Sequence, residues 1–466
     1  MSKDAERRDD PATPAALVEF MLRDWAPPPP HPPARLAHAE TFAARRDTLA
    51  RLYPEDVLIV PTGHEKVRAN DTYYRFRPSS DFYWLTGNTE PDCVLAIAPR
   101  GRVTLFVEPA GRDDATFFTD RMKGELWVGP RLGVPGSRAR YGVEDCRPLR
   151  ELAAFLDGLR APDQPRVRVL RGASPIVDGA FEPHARDAEL GTALAELRLV
   201  KDAIEVAELE AAIASTKRGF EDVIRRRARS EREVEGVFNL RARCEGNDVG
   251  YGTIAAAGAH ACTLHWTRND GALEPGSLLL LDAGVERDSL YTADVTRTIP
   301  ISGRFSVEQR RVYELVLEAQ RAAMAVVRPG VDFLEPNRVA MAILARGLVE
   351  LGVLRVSAAE ALREDRQLYK RYTLHNVSHM LGLDVHDCAR ARQEAYKFGK
   401  LRAGMVLTVE PGLYFQADDL TVPEKLRGIG VRIEDDVLVT SDGHRNLSAE
   451  IPAGADDVEA WMASLA

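Results

Sequence analysis

Ser277-Leu-Leu-Leu-Leu-Asp-Ala-Gly284 reads as a buried strand that ends in one acid and a turn, after which the chain returns through Ala293-Asp-Val-Thr-Arg-Thr298 with its own acid, Asp294. The pattern recurs: Met405-Val-Leu-Thr-Val-Glu-Pro-Gly412 runs into a turn, and Val431-Arg-Ile-Glu434 brings the chain back with another acid. Two hairpins, each with two inward acids, imply two copies of one half-domain. One acid at a strand end is ordinarily a turn former or an N-cap; four in a repeated arrangement are harder to dismiss. If the hairpins converge, four carboxylates share one low-dielectric space, and their repulsion is prohibitive unless protons or cations neutralise them. Two divalent ions would cancel four negative charges.

Between the hairpins lies Thr373-Leu-His-Asn-Val-Ser-His-Met-Leu-Gly-Leu-Asp-Val-His-Asp387, which holds three of the ten histidines. His375 and His379 have the spacing of one helical face, but Gly382 and the β-branched Val377 and Val385 argue against a helix, so strand or irregular turn is expected. Leu383-Asp-Val-His386 reads as a short extended piece with Asp384 and His386 on one face. Alone, the segment could be a histidine-rich surface loop. With the four acids it completes an oxygen-rich shell with one imidazole, suited to manganese, cobalt or catalytic zinc and unlike the thiolate-rich shells of structural zinc. The chemistry expected of such a shell is two-metal hydrolysis, in which a water bridging the ions loses its proton near neutral pH beside a bound carbonyl.

With 466 residues the chain is too long for one ordinary domain. Its 45% hydrophobic and 29% charged residues describe a globular protein, and the net charge of −9 leaves no electrostatic footprint for nucleic acid or an anionic membrane. No apolar run approaches the length of a membrane span. The five cysteines form no CxxC pattern and suit free thiols in a reducing compartment, so the expected location is the cytoplasm. The first residues lack the apolar core of a signal peptide.

Three domains are expected. Residues 1–36, with the run Pro27-Pro-Pro-Pro-His-Pro-Pro33, form a disordered extension. Residues 37–197 alternate helical patterns with the β-branched runs Val57–Val60, Cys93–Ile97, Val103–Val107 and Val167–Leu170, the mark of an α/β domain. Within it, Phe82, Tyr83 and Trp84 read as core, with a pocket wall or a subunit contact as the alternative. Residues 198–466 open with a capping box, Asp202 and Glu205, before a long amphipathic helix; Ser306 with Gln309 and Ser357 with Glu360 start two more.

The second half closely resembles the Xaa-Pro aminopeptidases (aminopeptidase P) of the pita-bread metallopeptidase family. The matching pieces are Leu264-His-Trp266, Leu281-Asp-Ala-Gly284, Asp294-Val-Thr-Arg-Thr298, His375 to Asp387, Val409-Glu-Pro-Gly-Leu-Tyr414 and Gly428-Ile-Gly-Val-Arg-Ile-Glu-Asp-Asp436. Ser80-Asp-Phe-Tyr-Trp-Leu-Thr-Gly87 with Glu90-Pro91 extends the likeness into the first half. The fold so implied is an α/β N-terminal creatinase/aminopeptidase P-like domain followed by an α+β pita-bread catalytic domain with a pseudo-twofold internal duplication. Two features depart from the family: eleven residues separate Asp282 from Asp294, one more than is common, and Asn376 stands where glycine is frequent. The extra residue is expected to enlarge the turn around Asp288-Ser289 or to form a bulge that re-aims Asp294.

The resemblance implies removal of the N-terminal residue from peptides with proline at the second position, using two divalent ions per subunit, Mn2+ foremost and Co2+ or Zn2+ as alternatives. It implies Asp282, Asp294, His379, Glu410 and Glu434 as ligands, with Asp294 and Glu434 bridging. Glu410 would also relay a proton, His265 and His386 would hydrogen-bond the substrate and the oxyanion, and His375 would lie beside the proline ring. Arg432, two residues before Glu434, would support the ligands, and Tyr414 would neighbour the substrate. A homo-oligomer, dimer or tetramer, is implied. The alternatives are a prolidase, then a methionine aminopeptidase, a non-catalytic pita-bread module that binds peptides or histones, and a creatinase-like enzyme; the last two lack metal ligands, and none is missing here.

Overall fold

A computed structural model of the chain describes residues 13–26, 32–70, 72–111 and 115–465. The chain divides into two compact units, Met1–Gly191 and Thr192–Ala466, so the division falls within the helix Ala185–Arg198. The expectation of a disordered extension over residues 1–36 needs correction: Ala15–Met21 is helical. Most of the proline run, residues 27–31, lies outside the described residues.

In the first unit the four β-branched runs are strands of one five-stranded sheet, in the order Asp145–Pro148, Val103–Val107, Val94–Ile97, Val57–Pro61, Val167–Val169. The central strands pair antiparallel and the two outer pairs are parallel. Alternation decides which side chains meet: Val57, Ile59, Val94, Ala96 and Phe106 bury one face against Leu152, Leu156 and Val177. Phe82, Tyr83 and Trp84 sit on the helix Ser80–Thr86, every residue of which is buried. They are core. The carbonyls of Trp84 and Leu85, left without helical partners at its end, accept from the buried guanidiniums of Arg45 and Arg46.

The second unit holds the duplication. Its first half places the helices Ala203–Arg226 and Glu231–Glu245 beside an antiparallel sheet of Ile254–Ala257, Leu278–Ala283 and Val295–Pro300. Its second half pairs the helices Val307–Ala325 and Glu335–Glu350 with the strands Val406–Val409, Asp435–Val439 and His444–Asn446, and a short ribbon of Gly412–Tyr414 with Gly430–Arg432. Of the three predicted capping boxes, those at Asp202 and Ser306 are formed; at Ser357 only the serine side of the motif is present, ahead of a five-residue helix.

The extra residue before Asp294 creates no bulge. Leu278 to Ala283 pair in unbroken register with Pro300 to Val295, and Glu286 bridges Thr292 in that same register, so the surplus is absorbed beyond it. There Arg287 N–H donates to Tyr291 O and Leu290 turns at φ +63°.

Arg297 joins the two halves. Its fully buried guanidinium donates to Glu434 O, Ile451 O and Pro452 O and pairs with Asp435 at 2.8 Å. Removing one partner of such a pair leaves the other charged and desolvated. Arg297→Ala should therefore cost about 3–5 kcal/mol of stability, read from the urea midpoint of the metal-stripped protein. A loss within that of a surface control variant would show that the pair does not hold the halves together.

Candidate metal centre

Strand pairing aims the four acids. On the first hairpin Asp282 faces Thr296 across the ladder, and Asp294 lies two residues before Thr296, toward the turn, on the same face. On the second, Val409 pairs with Asp435 and Gly412 with Arg432, which sets Glu410 opposite Glu434. Glu434 N–H donates to Thr296 O, stitching the hairpins together where the acids meet. Asp282, Asp294 and Glu434 are buried, and Glu410 is partly buried.

The histidine segment is neither helix nor regular strand. Residues 377–381 run antiparallel to the strand Val406–Val409, with Glu410 N–H donating to Val377 O, Thr408 N–H to His379 O and Leu381 N–H to Val406 O. That pairing delivers His379 to the acids. The predicted extended piece at Leu383–His386 is corrected to a tight loop, because Asp387 N–H donates to Met380 O and Gly382 N–H to Asp384 O. Asp384 consequently turns to Arg198, at 2.9 Å, while His386 faces the cavity. The loop needs glycine at 382: a Cβ there would lie 2.2 Å from the Asp387 carboxylate, which Arg198 and Lys201 hold in place.

Asp282, Asp294, His265, His375, His379, His386, Glu410, Arg432 and Glu434 all line one cavity of about 620 Å³. Tyr414 does not line it and meets it through two residues that do: its hydroxyl is 2.8 Å from His375 Nε2 and accepts from Arg432 at 3.0 Å. Ligand atoms of Asp294, His379 and Glu434 lie within 4.8 Å of one another. His379 Nε2 is 3.3 Å from Asp294 and 3.5 Å from Glu410, while its Nδ1 is 3.2 Å from Met380 O, the arrangement that leaves Nε2 for a cation. Arg432, fully enclosed, donates to Asp282 at 2.5 Å, to Thr296 and to Tyr414.

Three participants escaped the sequence reading. The Tyr251 hydroxyl sits 2.6 Å from Asp282 and 2.5 Å from Asp294, Thr296 donates to Glu434 at 2.6 Å, and Asp436 accepts from Asp294 N–H. For Tyr251 the available signal was glycine on both sides, in Val249-Gly-Tyr-Gly252.

The electrostatics fit a cation site. Burial, then the charges of Asp294, Glu410 and Asp282, hold the Glu434 carboxyl well above its ordinary range. Burial likewise raises Asp282 against the opposing pull of Arg432, and pushes Glu410 up to about 7. Burial alone would lower His379, but its hydrogen bond to Asp294 and the charge of Glu410 outweigh that and push it up to about 9. Each shift is the response of a protein that must neutralise this cluster with protons where no cation does so.

Fold and site together define a hydrolytic metallopeptidase. Residues 207–441 match metallopeptidase family M24, and residues 42–167 match the aminopeptidase P N-terminal domain. Xaa-Pro aminopeptidase 1 of Streptomyces coelicolor is 50% identical over 460 residues, 96% of this chain and 92% of its own. Among solved structures, Pseudomonas aeruginosa aminopeptidase PepP aligns with TM-score 0.82 and 34% identity, covering 92% of this chain and 99% of that one. Aminopeptidase P from Escherichia coli with the inhibitor Pro-Leu aligns with TM-score 0.83 and 30% identity over the same shares. The chain belongs to the Xaa-Pro aminopeptidases of family M24, with the pita-bread fold. It removes the N-terminal residue of peptides in which proline stands second, at a metal-binding centre consistent with dinuclear catalysis. The prolidase and non-catalytic readings fall away.

Groups whose pKa folding raises hold protons more tightly in the native state, so their contribution to stability is lost as pH rises through the raised value. Between pH 6.5 and 9 that applies to Glu410 in the lower part of the window and to His379 throughout, and the raised carboxyl of Glu434 carries the same sign. His375, lowered to about 4, has the opposite sign but acts only below its ordinary value of 6.5. The melting temperature of metal-stripped protein should fall from pH 6.5 to 9, and saturating Mn2+ should flatten the fall. Parallel curves with and without metal would contradict the charge assignment.

Proposed function

We propose that two divalent cations, Mn2+ foremost and Co2+ or Zn2+ as alternatives, would be held by Asp282, Asp294, His379, Glu410 and Glu434. The observation that carries this reading is the convergence of Asp294, His379 and Glu434 within 4.8 Å, amid acids whose protonation is driven upward by burial and mutual repulsion. Bound there, such ions lower the pKa of the attacking water and polarise the carbonyl before proline, a tertiary amide with no N–H to recognise.

The protein's own groups do the rest. Glu410, which lines the cavity opposite Glu434, takes the proton of the attacking water and delivers it to the departing proline nitrogen. His375 is kept neutral by burial and by Arg432, so its ring offers the proline an uncharged surface. His265 and His386 stand exposed at the cavity mouth, free to hydrogen-bond the substrate carbonyl and its developing negative charge. Arg432 fixes Asp282 and Tyr414 rather than reaching substrate itself. That the E. coli enzyme has been crystallised with Pro-Leu, and its zinc-substituted form with product, is in keeping with a proline-led product beside the metal shell. The reading extends to a homo-oligomer, dimer or tetramer, and to a cytoplasmic location, in keeping with five unpaired cysteines, four of them buried.

Asp294→Ala or Glu434→Ala should lose metal and nearly all activity together. His265→Ala or His386→Ala should keep full metal and lose turnover by about two to three powers of ten if they act as other oxyanion donors do. Metal per subunit, measured beside turnover, decides between the roles: a fully loaded Asp294→Ala protein, or metal loss in the histidine variants, would overturn them. Cleavage should require proline at position two and extend to tripeptides and longer; an enzyme restricted to dipeptides would be a prolidase.

A further inference from the structure

Outside the metal shell stands another buried carboxylate, Glu231, which has 0% exposure and lies at the start of the helix Glu231–Glu245. Its Oε1 accepts from Ala257 N–H at 2.7 Å and lies 2.7 Å from His260 Nδ1; its Oε2 accepts from the Trp266 indole at 2.8 Å and from Gly271 N–H at 2.7 Å. Four donors fill the four acceptor directions of a carboxylate. All four belong to residues 257–271, the irregular stretch that carries His265. The packing there is equally tight: His260 stacks on Trp266 with centroids 3.9 Å apart, and a Cβ at Gly271 would lie 2.9 Å from Glu231 Cδ and 2.8 Å from His260.

The consequence falls on His265. Leu264, His265 and Thr267 line the cavity, whereas Trp266 is turned away from it and hydrogen-bonded to Glu231. His265 is exposed, and its side chain has no fixing partner of its own among the described residues. Its orientation is therefore inherited from a backbone that one buried carboxylate holds. We propose that Glu231 is a positioning residue for the peptidase reaction: by accepting from Trp266, His260, Gly271 and Ala257 it sets the loop so that the His265 imidazole points at the substrate carbonyl. The proposal rests on the role given to His265 above.

Glutamine at 231 keeps the volume but presents an NH2 to one of the two donor pairs, whichever way the amide is turned. Steady-state cleavage of an Xaa-Pro-Xaa tripeptide should be measured for Glu231→Gln, His265→Ala and the double variant, with metal content and melting temperature for each. Glu231→Gln should keep its metal and lose about ten- to a hundred-fold in kcat, the scale of a displaced catalytic group, with a smaller change in KM. In the double variant the loss should equal that of His265→Ala alone, because a misplaced loop costs nothing further once its imidazole is gone. Losses that multiply would overturn the positioning role while leaving His265 in place. A His265→Ala enzyme with unchanged kcat and KM would overturn the role of His265 itself, and the proposal with it. If Glu231→Gln does not fold, Trp266→Phe, which deletes one donor and keeps the ring, takes its place in the same cycle: it should slow turnover in the parent and have no effect in the His265→Ala background, and any other pair of results counts against the proposal.

Discussion

Four carboxylates, Asp282, Asp294, Glu410 and Glu434, face one cavity, and the cost of keeping them charged dictates what surrounds them. Two like charges 4 Å apart repel by about 4 kcal/mol at the effective dielectric of a protein site, a large part of the stability of any domain. The chain answers with one permanent positive charge, Arg432, aimed at Asp282, and with the hydroxyls of Tyr251 and Thr296. One cation against four acids leaves a deficit. Protons taken up by Glu434, Asp282 and Glu410 meet it only by giving up the charge that makes these groups ligands, so the site is built to hold metal.

The two halves that deliver the acids are alike in architecture and differ in register. In the second half Glu410 and Glu434 face one another directly, whereas in the first Asp282 faces Thr296 and the second acid is displaced by two residues. Thr296 thus occupies the slot that its counterpart hairpin gives to an acid. Its hydroxyl donates to Glu434 at 2.6 Å and accepts from Arg432 at 3.1 Å, joining the acid of one half to the arginine that serves the other. A shift of two preserves the face, so Asp294 still points inward. The duplication is in this way compatible with an asymmetric centre.

Much of this was legible in the sequence because periodicity and strand-end acids are local signals. The hairpins with their four acids, two of the three capping boxes and four of the five sheet strands of the first unit could be read residue by residue, whereas the full ligand set with His379 came from the family resemblance. What could not be read depends on contacts distant in the chain. Tyr251 lies 31 residues from Asp282, and nothing in its neighbourhood announces a carboxylate partner. The loop at 380–387 looks extended in sequence because alternation of Leu383, Asp384, Val385 and His386 mimics a strand, while the Arg198 and Lys201 charges that fix Asp387, whose N–H closes the loop on Met380 O, come from far away in the chain. The surplus residue before Asp294 left two outcomes open, and only the register shows that the turn absorbs it.

The centre has a deep layer and a rim, and they are held by different means. The ligand side chains are placed by strand ladders, where neighbouring hydrogen bonds define each position. His265 and His386 stand on irregular loops with no ladder to orient them, and each loop is anchored by one buried carboxylate: Glu231 for residues 257–271, Asp387 for residues 380–387. Glu231 is held by four hydrogen-bond donors, and Asp387 by Arg198 and Lys201, which hold its carboxyl below the usual range despite burial. A buried charge adds little net stability, but a loop conformation that leaves the carboxylate without its donors pays for an uncompensated, desolvated charge. Rim groups that must meet a substrate in solvent, yet be held to within about 0.5 Å of a productive position, require that kind of anchoring.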